Sequence, residues 1–106
     1  MKEQVLRIDK FIVPDESKAE FLEQVHITHE LLRTLPGFVE DFIVEKLNGP
    51  AVFNIVTTVV WKDHSAIANA KDRVHASQKE RNFDPHELWS RLNIQADLGN
   101  YKRIEV

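Results

Sequence analysis

From residue 51 to residue 61 the chain reads A-V-F-N-I-V-T-T-V-V-W, apolar on both parities of a two-residue repeat. In an extended strand Ala51, Phe53, Ile55, Val59 and Trp61 point one way and Val52, Val56 and Val60 the other, so both faces require cover. Val5 to Val13 is another strand-like run, and Pro14 ends it because proline has no N–H to give a ladder. Asp15 or Ser17 can cap a following helix, with Glu20 in capping-box spacing to Ser17 and Ala19, Leu22, Val25 and Leu32 on one stripe. That helix is expected to reach Thr34 and to stop at Pro36-Gly37. Phe38 to Leu47 returns to period two, with Phe38, Phe42 and Val44 on one parity and Val39, Ile43 and Leu47 on the other. Asn48-Gly49-Pro50 is a turn signal, which predicts a hairpin between this strand and the one ending at Trp61.

After Trp61 the pattern becomes helical, with Asp63 as the expected cap and Ile67, Ala70 and Val74 on one stripe. Asn82 to Pro85 breaks this helix, Asp84 caps the next, and His86 to Leu92 reads as a short third helix. Ile94 to Val106 closes the chain, with a bulge expected at Gly99-Asn100 and a final strand from Tyr101 to Val106. The order strand, helix, strand, strand, helix, strand predicts an α+β fold. It is the ferredoxin-like βαββαβ split, an antiparallel sheet with the helices on one face. A chain of 106 residues supplies one helical layer and lacks material for a second. The other apolar sheet face is therefore expected to pack on a second copy, giving a symmetric homodimer.

The length fits one domain, residues 1–106. The absence of cysteine excludes disulfides, a thiolate nucleophile and cysteine-ligated metal. The net charge is −3 and no Lys/Arg cluster is dense enough to track a phosphate backbone, so nucleic acid is not expected as a partner. Charges interrupt the apolar residues of the N-terminal stretch, unlike a signal peptide, and no run approaches a membrane span; the expectation is a cytoplasmic protein with no membrane partner.

The L-P-G-F at Leu35–Phe38, the V-V-W-K-D at Val59–Asp63 and the alanine-rich start of the next helix resemble the antibiotic biosynthesis monooxygenase family of dimeric α+β barrels. The resemblance spans nearly the whole chain. It implies a cavity in each subunit between sheet and helices, where a small electron-rich aromatic, quinol or polyketide-like substrate meets O2 with no metal or other cofactor. Such chemistry asks little of a protein: bind the phenol or hydroquinone, assist its deprotonation and shield the reactive intermediates from water. The same barrel also serves non-catalytic small-ligand-binding and stress-response proteins, the alternative reading. It serves heme degradation too, which pairs a histidine late in the second helix with a tryptophan one helical face away; Ala70 to Arg81 contains no tryptophan.

The resemblance places Trp61 at the cavity edge, where an indole can stack on a ring and donate from its nitrogen. Thr57 stands where the actinorhodin-type oxygenases carry an asparagine, and its spacing on a strand puts it on the face of Trp61. Asn54, of opposite parity, is assigned to the other face or to the hairpin. His75 occupies a position where quinol-oxygenase-like members often carry histidine, and is the expected catalytic base. Arg81 matches by count an arginine that steadies oxyanions in the actinorhodin-type enzymes. His29 lies near the edge of the first helix's apolar stripe, close enough to look into the same cleft. Tyr101 is expected to line either the cavity or the dimer seam. His26 and His29 are spaced as a metal-binding pair, but no carboxylate joins them in a recognised motif, so no metal site is expected.

Overall fold

Pro14 and the Pro36-Gly37 pair break the chain where extended and helical segments meet. The computed structural model describes residues 3–106; Met1 and Lys2, the start of the charge-interrupted N-terminal stretch, lie outside them. The elements are β1 (Val5–Ile12), a 3-10 turn (Asp15–Ser17), α1 (Lys18–Leu32), β2 (Phe38–Glu45), β3 (Ile55–Trp61), α2 (His64–Glu80), α3 (Pro85–Arg91) and β4 (Gln95–Tyr101). The four strands form one sheet in the order β2-β3-β1-β4, every neighbouring pair antiparallel. This is the expected α+β, ferredoxin-like arrangement. The chain is only 17 Å deep along its shortest axis, the thickness of one sheet with one layer of helices.

The register assigns each strand face. Val5, Phe11, Ile55, Val59 and Trp61 point toward the helices and are buried there. Phe11, Val13, Phe21, Ile55 and Ile94 form one core cluster; Leu32, Leu35, Val59, Trp61 and Ala70 form the other. Rings pack edge to face, with centroids 4.8 Å apart for Phe11 and Phe21 and 5.9 Å apart for Phe38 and Trp61.

Several boundaries differ from the sequence reading, each for a local reason. β3 begins at Ile55, and the segment from Ala51 to Asn54 belongs to the connection after β2. Asn54 holds that connection: its Nδ2 donates to the Val13 carbonyl at 2.8 Å and its Oδ1 accepts from the Val13 N–H at 2.7 Å. A side-chain amide thus replaces the peptide pairing that would have extended the ladder. β2 carries a bulge between Phe38 and Glu40, which reverses the facing of the residues beyond it. Phe38 therefore packs on Trp61 under the helices, while Phe42 and Val44 face the other way.

The expected capping box at Ser17 does not form. A 3-10 turn precedes α1, Ser17 has helical backbone angles, and its hydroxyl donates to the Leu92 carbonyl at 2.9 Å. Phe21, His29 and Leu32 are the buried residues of α1, and Ala19 is exposed. The other two caps hold: Asp63 accepts from the Ala66 N–H and Asp84 from the His86 N–H. β4 shows no bulge and ends at Tyr101, pairing residue for residue with β1 from Ile12↔Gln95 to Leu6↔Tyr101. The ring of Tyr101 folds back to within 3.0 Å of where a Cβ on Gly99 would lie, so the absent side chain makes room for it.

Candidate functional site

The helices stand clear of the sheet over β1 and β3, leaving a cavity of about 290 Å³. Its floor is built from alternate residues of two strands, Arg7 and Asp9 of β1 and Thr57, Val59 and Trp61 of β3. α1 supplies one wall through Val25, His29 and Leu32; α2 supplies the opposite wall through Ile67, Val74 and His75; Leu88 and Trp89 of α3 close one end. The apolar stripe of α2 read from the sequence is thus both core and cavity wall.

Most of this lining is hydrocarbon and aromatic ring, and a polar group is concentrated around His29. Only 4% of His29 is exposed, so its ring is held by protein contacts. Its Nδ1 lies 2.8 Å from Oδ2 of Asp41, on β2 beneath α1. Arg33, one helical turn after His29, donates from Nε to both Asp41 oxygens, at 3.0 and 3.2 Å. Burial alone would push the Asp41 carboxyl up, but hydrogen bonds from Arg33 and His29 outweigh it and hold the group below the ordinary carboxylate value. Asp9 shows the opposite balance. Burial raises it, against the opposing hydrogen bond and charge of Arg7, whose Nε donates to Oδ1 at 2.6 Å, and against the weaker pull of His29.

A depressed Asp41 carboxyl links stability to pH in a definite sense. Its contribution is complete above the unfolded-state value near 3.8 and is lost as pH falls through the lower folded-state value. Asp41→Asn should therefore cost about 1–2 kcal/mol at neutral pH, a magnitude typical of hydrogen bonds to a charged group and discounted because Arg33 is half exposed. In urea unfolding series, the gap between variant and parent should close progressively below pH 4. Asp9 contributes with the reverse sign, since its folded form takes up a proton more readily than the unfolded chain.

Of the residues expected at a site, Trp61, Thr57, His29 and His75 line this one cavity. Trp61 and Thr57 are buried in its floor, His29 is buried in its wall, and His75 is exposed at its rim. Arg81 and Tyr101 do not line it, although Arg81 contacts Gln24 and Phe83, which do. Arg81 is the exposed C-cap of α2, where it reaches Gln24 and lies over the ring of Phe83. Tyr101 pairs with Leu6 and faces away from the helices, beside Lys10. Of the two placements left open by the sequence, the cavity is not where it lies. Asp9, Arg7, Asp41 and Arg33 are site residues that the sequence reading missed. The available signal was a strand parity bearing Arg7 and Asp9 between the apolar Val5 and Phe11. Among the described residues, no three of His, Asp and Glu are grouped to hold a metal ion, and no helix is long and apolar enough to cross a membrane.

No protein-family model and no curated protein matches the chain. Solved structures do match its fold. A Shewanella loihica protein provisionally described as a monooxygenase superposes with a TM-score of 0.77 at 14% identity, over 100% of this chain and 99% of its own. SnoaB, a cofactor-independent oxygenase from Streptomyces nogalater, gives 0.67 at 19% identity over 98% of this chain and 96% of its own. A dimeric ferredoxin-like protein from an uncultured marine organism gives 0.72 at 12% identity over 99% and 100%. At such identities the likeness establishes the fold, and function has to be argued from the site.

Proposed function

We propose that this chain is a cytoplasmic, homodimeric, cofactor-independent monooxygenase that oxidises a small electron-rich aromatic with O2 in the cavity beneath its helices. The observation that carries this reading is a ring-lined cavity with a partnered histidine and a tryptophan in its walls. Its volume of about 290 Å³ lies at the lower edge of the range for small-molecule sites, roughly 300–1,000 Å³, which suits a ligand of a few rings. The oxygenase and the dimeric protein among the structural neighbours support the same reading by analogy of fold.

An anthrone illustrates the chemistry. Loss of a proton produces an electron-rich anion able to reduce O2 directly. The ring CH2 becomes C=O, one oxygen atom entering the carbonyl and the other leaving as water with the two hydrogens; carbon gives up four electrons and O2 accepts four. Trp61 would stack against the ring and Thr57 would donate to its oxygen, while the apolar walls exclude water. His75, at the rim, would meet the substrate as it enters.

With dithranol as substrate in an oxygen electrode, the protein should consume one O2 per molecule converted, well above the buffer rate, with the quinone appearing in step. Failure to oxidise any of a panel of anthrones and quinols, with binding retained in calorimetry, would overturn the oxygenase reading in favour of a non-catalytic ligand-binding protein.

A further inference from the structure

We propose that His29 is the group that takes the substrate's proton, with Asp41 as a positioning residue that holds its ring and Arg33 holding Asp41. The inference rests on the oxygenase reading for its substrate, while the assignment of the base stands on geometry.

A base in this cavity needs a fixed ring, an unprotonated nitrogen facing the ligand, and charge nearby to receive the cation it becomes. Four of the five histidines are exposed: His26 and His64 lie outside the cavity lining, and His75 and His86 line it without a carboxylate at hydrogen-bond distance among the described residues, His86 resting edge-on against Trp89. His29 alone is buried, and it has a carboxylate at hydrogen-bond distance. An ionised carboxylate only accepts, so Nδ1 of neutral His29 carries the proton and Nε2 is left with its lone pair. The Nδ1 edge is committed to Asp41, and the rest of the ring belongs to the cavity wall.

The surrounding charges suit a transient imidazolium. Asp41 lies on the β2 side, locked by Arg33; Asp9 lies on the β1 side, paired with Arg7 and coupled electrostatically to His29. The wall thus runs by direct contact from histidine to anion to cation, and a second anion–cation pair, Asp9 with Arg7, stands in the floor. Across the cavity, α2 contributes Lys71 and His75 at the rim. In the step itself the CH2 of an anthrone loses a C–H proton, or a phenol or quinol an O–H proton; the bond's electron pair stays on the substrate as enolate or phenolate, and the proton bonds to Nε2. That proton later returns to the reduced oxygen atom that leaves as water.

The test compares His29→Gln, His75→Gln and Asp41→Asn, each checked for native circular dichroism and unfolding midpoint. With dithranol, His29→Gln should lose at least about 100-fold in kcat, the usual range for removal of a general base, whereas His75→Gln should act mainly by raising KM, as befits a rim residue that only meets the entering substrate. Asp41→Asn should lower kcat with KM nearly unchanged. A second readout needs no oxidation: p-nitrophenol bound near pH 6 should gain phenolate absorbance with the parent protein and not with His29→Gln. Oxidation that survives His29→Gln, or equal losses at His29 and His75, overturns the assignment while the oxygenase reading stands. Ionisation of p-nitrophenol that depends on His29, with no anthrone oxidised, upholds the proton acceptor and removes the oxygenase reading.

Discussion

Phe42→Glu is expected to convert a dimer of twice the 12.3 kDa chain mass into single chains at micromolar concentration, read by equilibrium sedimentation. The face of the sheet turned from the helices explains why. Its rows run Glu40, Val60, Leu6, Tyr101; then Phe42, Thr58, Ile8, Gly99; then Val44, Val56, Lys10, Asp97. Apolar side chains fill the middle of this grid, and charges stand toward its corners. Phe42, Val44 and Tyr101 remain 48%, 49% and 43% exposed in the isolated chain, on the two edge strands that flank the half-buried Leu6, Ile8 and Val56. A two-fold axis through such a face brings each residue into the interface twice, so one glutamate introduces two uncompensated charges. Loss of an aromatic anchor from an interface typically costs 2–4 kcal/mol of association, about 30- to 1,000-fold in Kd. The fold itself should tolerate the change, because Phe42 is already half exposed and lies on an edge strand. Since the cavity occupies the opposite face, the monomer should still bind ligand. A parent protein that sediments as a monomer, or a Phe42→Glu protein that stays dimeric, would refute packing through this face.

Element types and their order were legible in the sequence because periodicity and stop signals are local. Pro14, Pro36-Gly37, Asp63 and Asp84 act within a few residues of where they stand, and the structure uses all four as boundaries or caps. What escaped the sequence depended on partners far along the chain. Asn54 resembles a strand residue until Val13, 41 positions away, is seen occupying its amide. The β2 bulge has no residue signature, yet it decides which of Phe38 and Phe42 meets the helices. The site divides in the same way. Trp61 and Thr57 could be placed on one face by parity alone. His29 ranked below His75 because its distinguishing feature, the Asp41 carboxylate, comes from another element across a loop. Arg81 was placed by counting along the chain, and counting does not report which way a helix end faces; Tyr101 was left between two faces because the expected bulge at Gly99-Asn100 obscured the parity of its strand.

Gly37→Ala should be among the most damaging single-methyl additions in this chain, with an expected loss of about 2–4 kcal/mol in urea unfolding. Gly37 has φ of 82°, a left-handed conformation that costs a residue with a Cβ roughly 1 kcal/mol or more. A Cβ there would also lie 2.4 Å from the Cβ of Ala66, far inside contact distance. Neither neighbour can retreat freely. The Gly37 carbonyl accepts the Lys62 N–H at 2.8 Å, tying the entry of β2 to the exit of β3, and Ala66 is held in the first turn of α2 by the Asp63 cap. The added methyl must therefore lift α2 from the sheet, and with it Ile67, Val74 and His75 on that wall of the cavity. Gly49 separates the two costs. It has φ of 99° but nothing within 4 Å of a built Cβ, so Gly49→Ala should lose only about 1 kcal/mol. Adding Ala66→Gly to Gly37→Ala removes the clashing methyl, and the pair should recover about 1–2 kcal/mol relative to the sum of the single changes. Additive losses in that double-mutant cycle would show that backbone strain alone fixes the glycine, and that α2 is not seated by contact with the residue that opens β2.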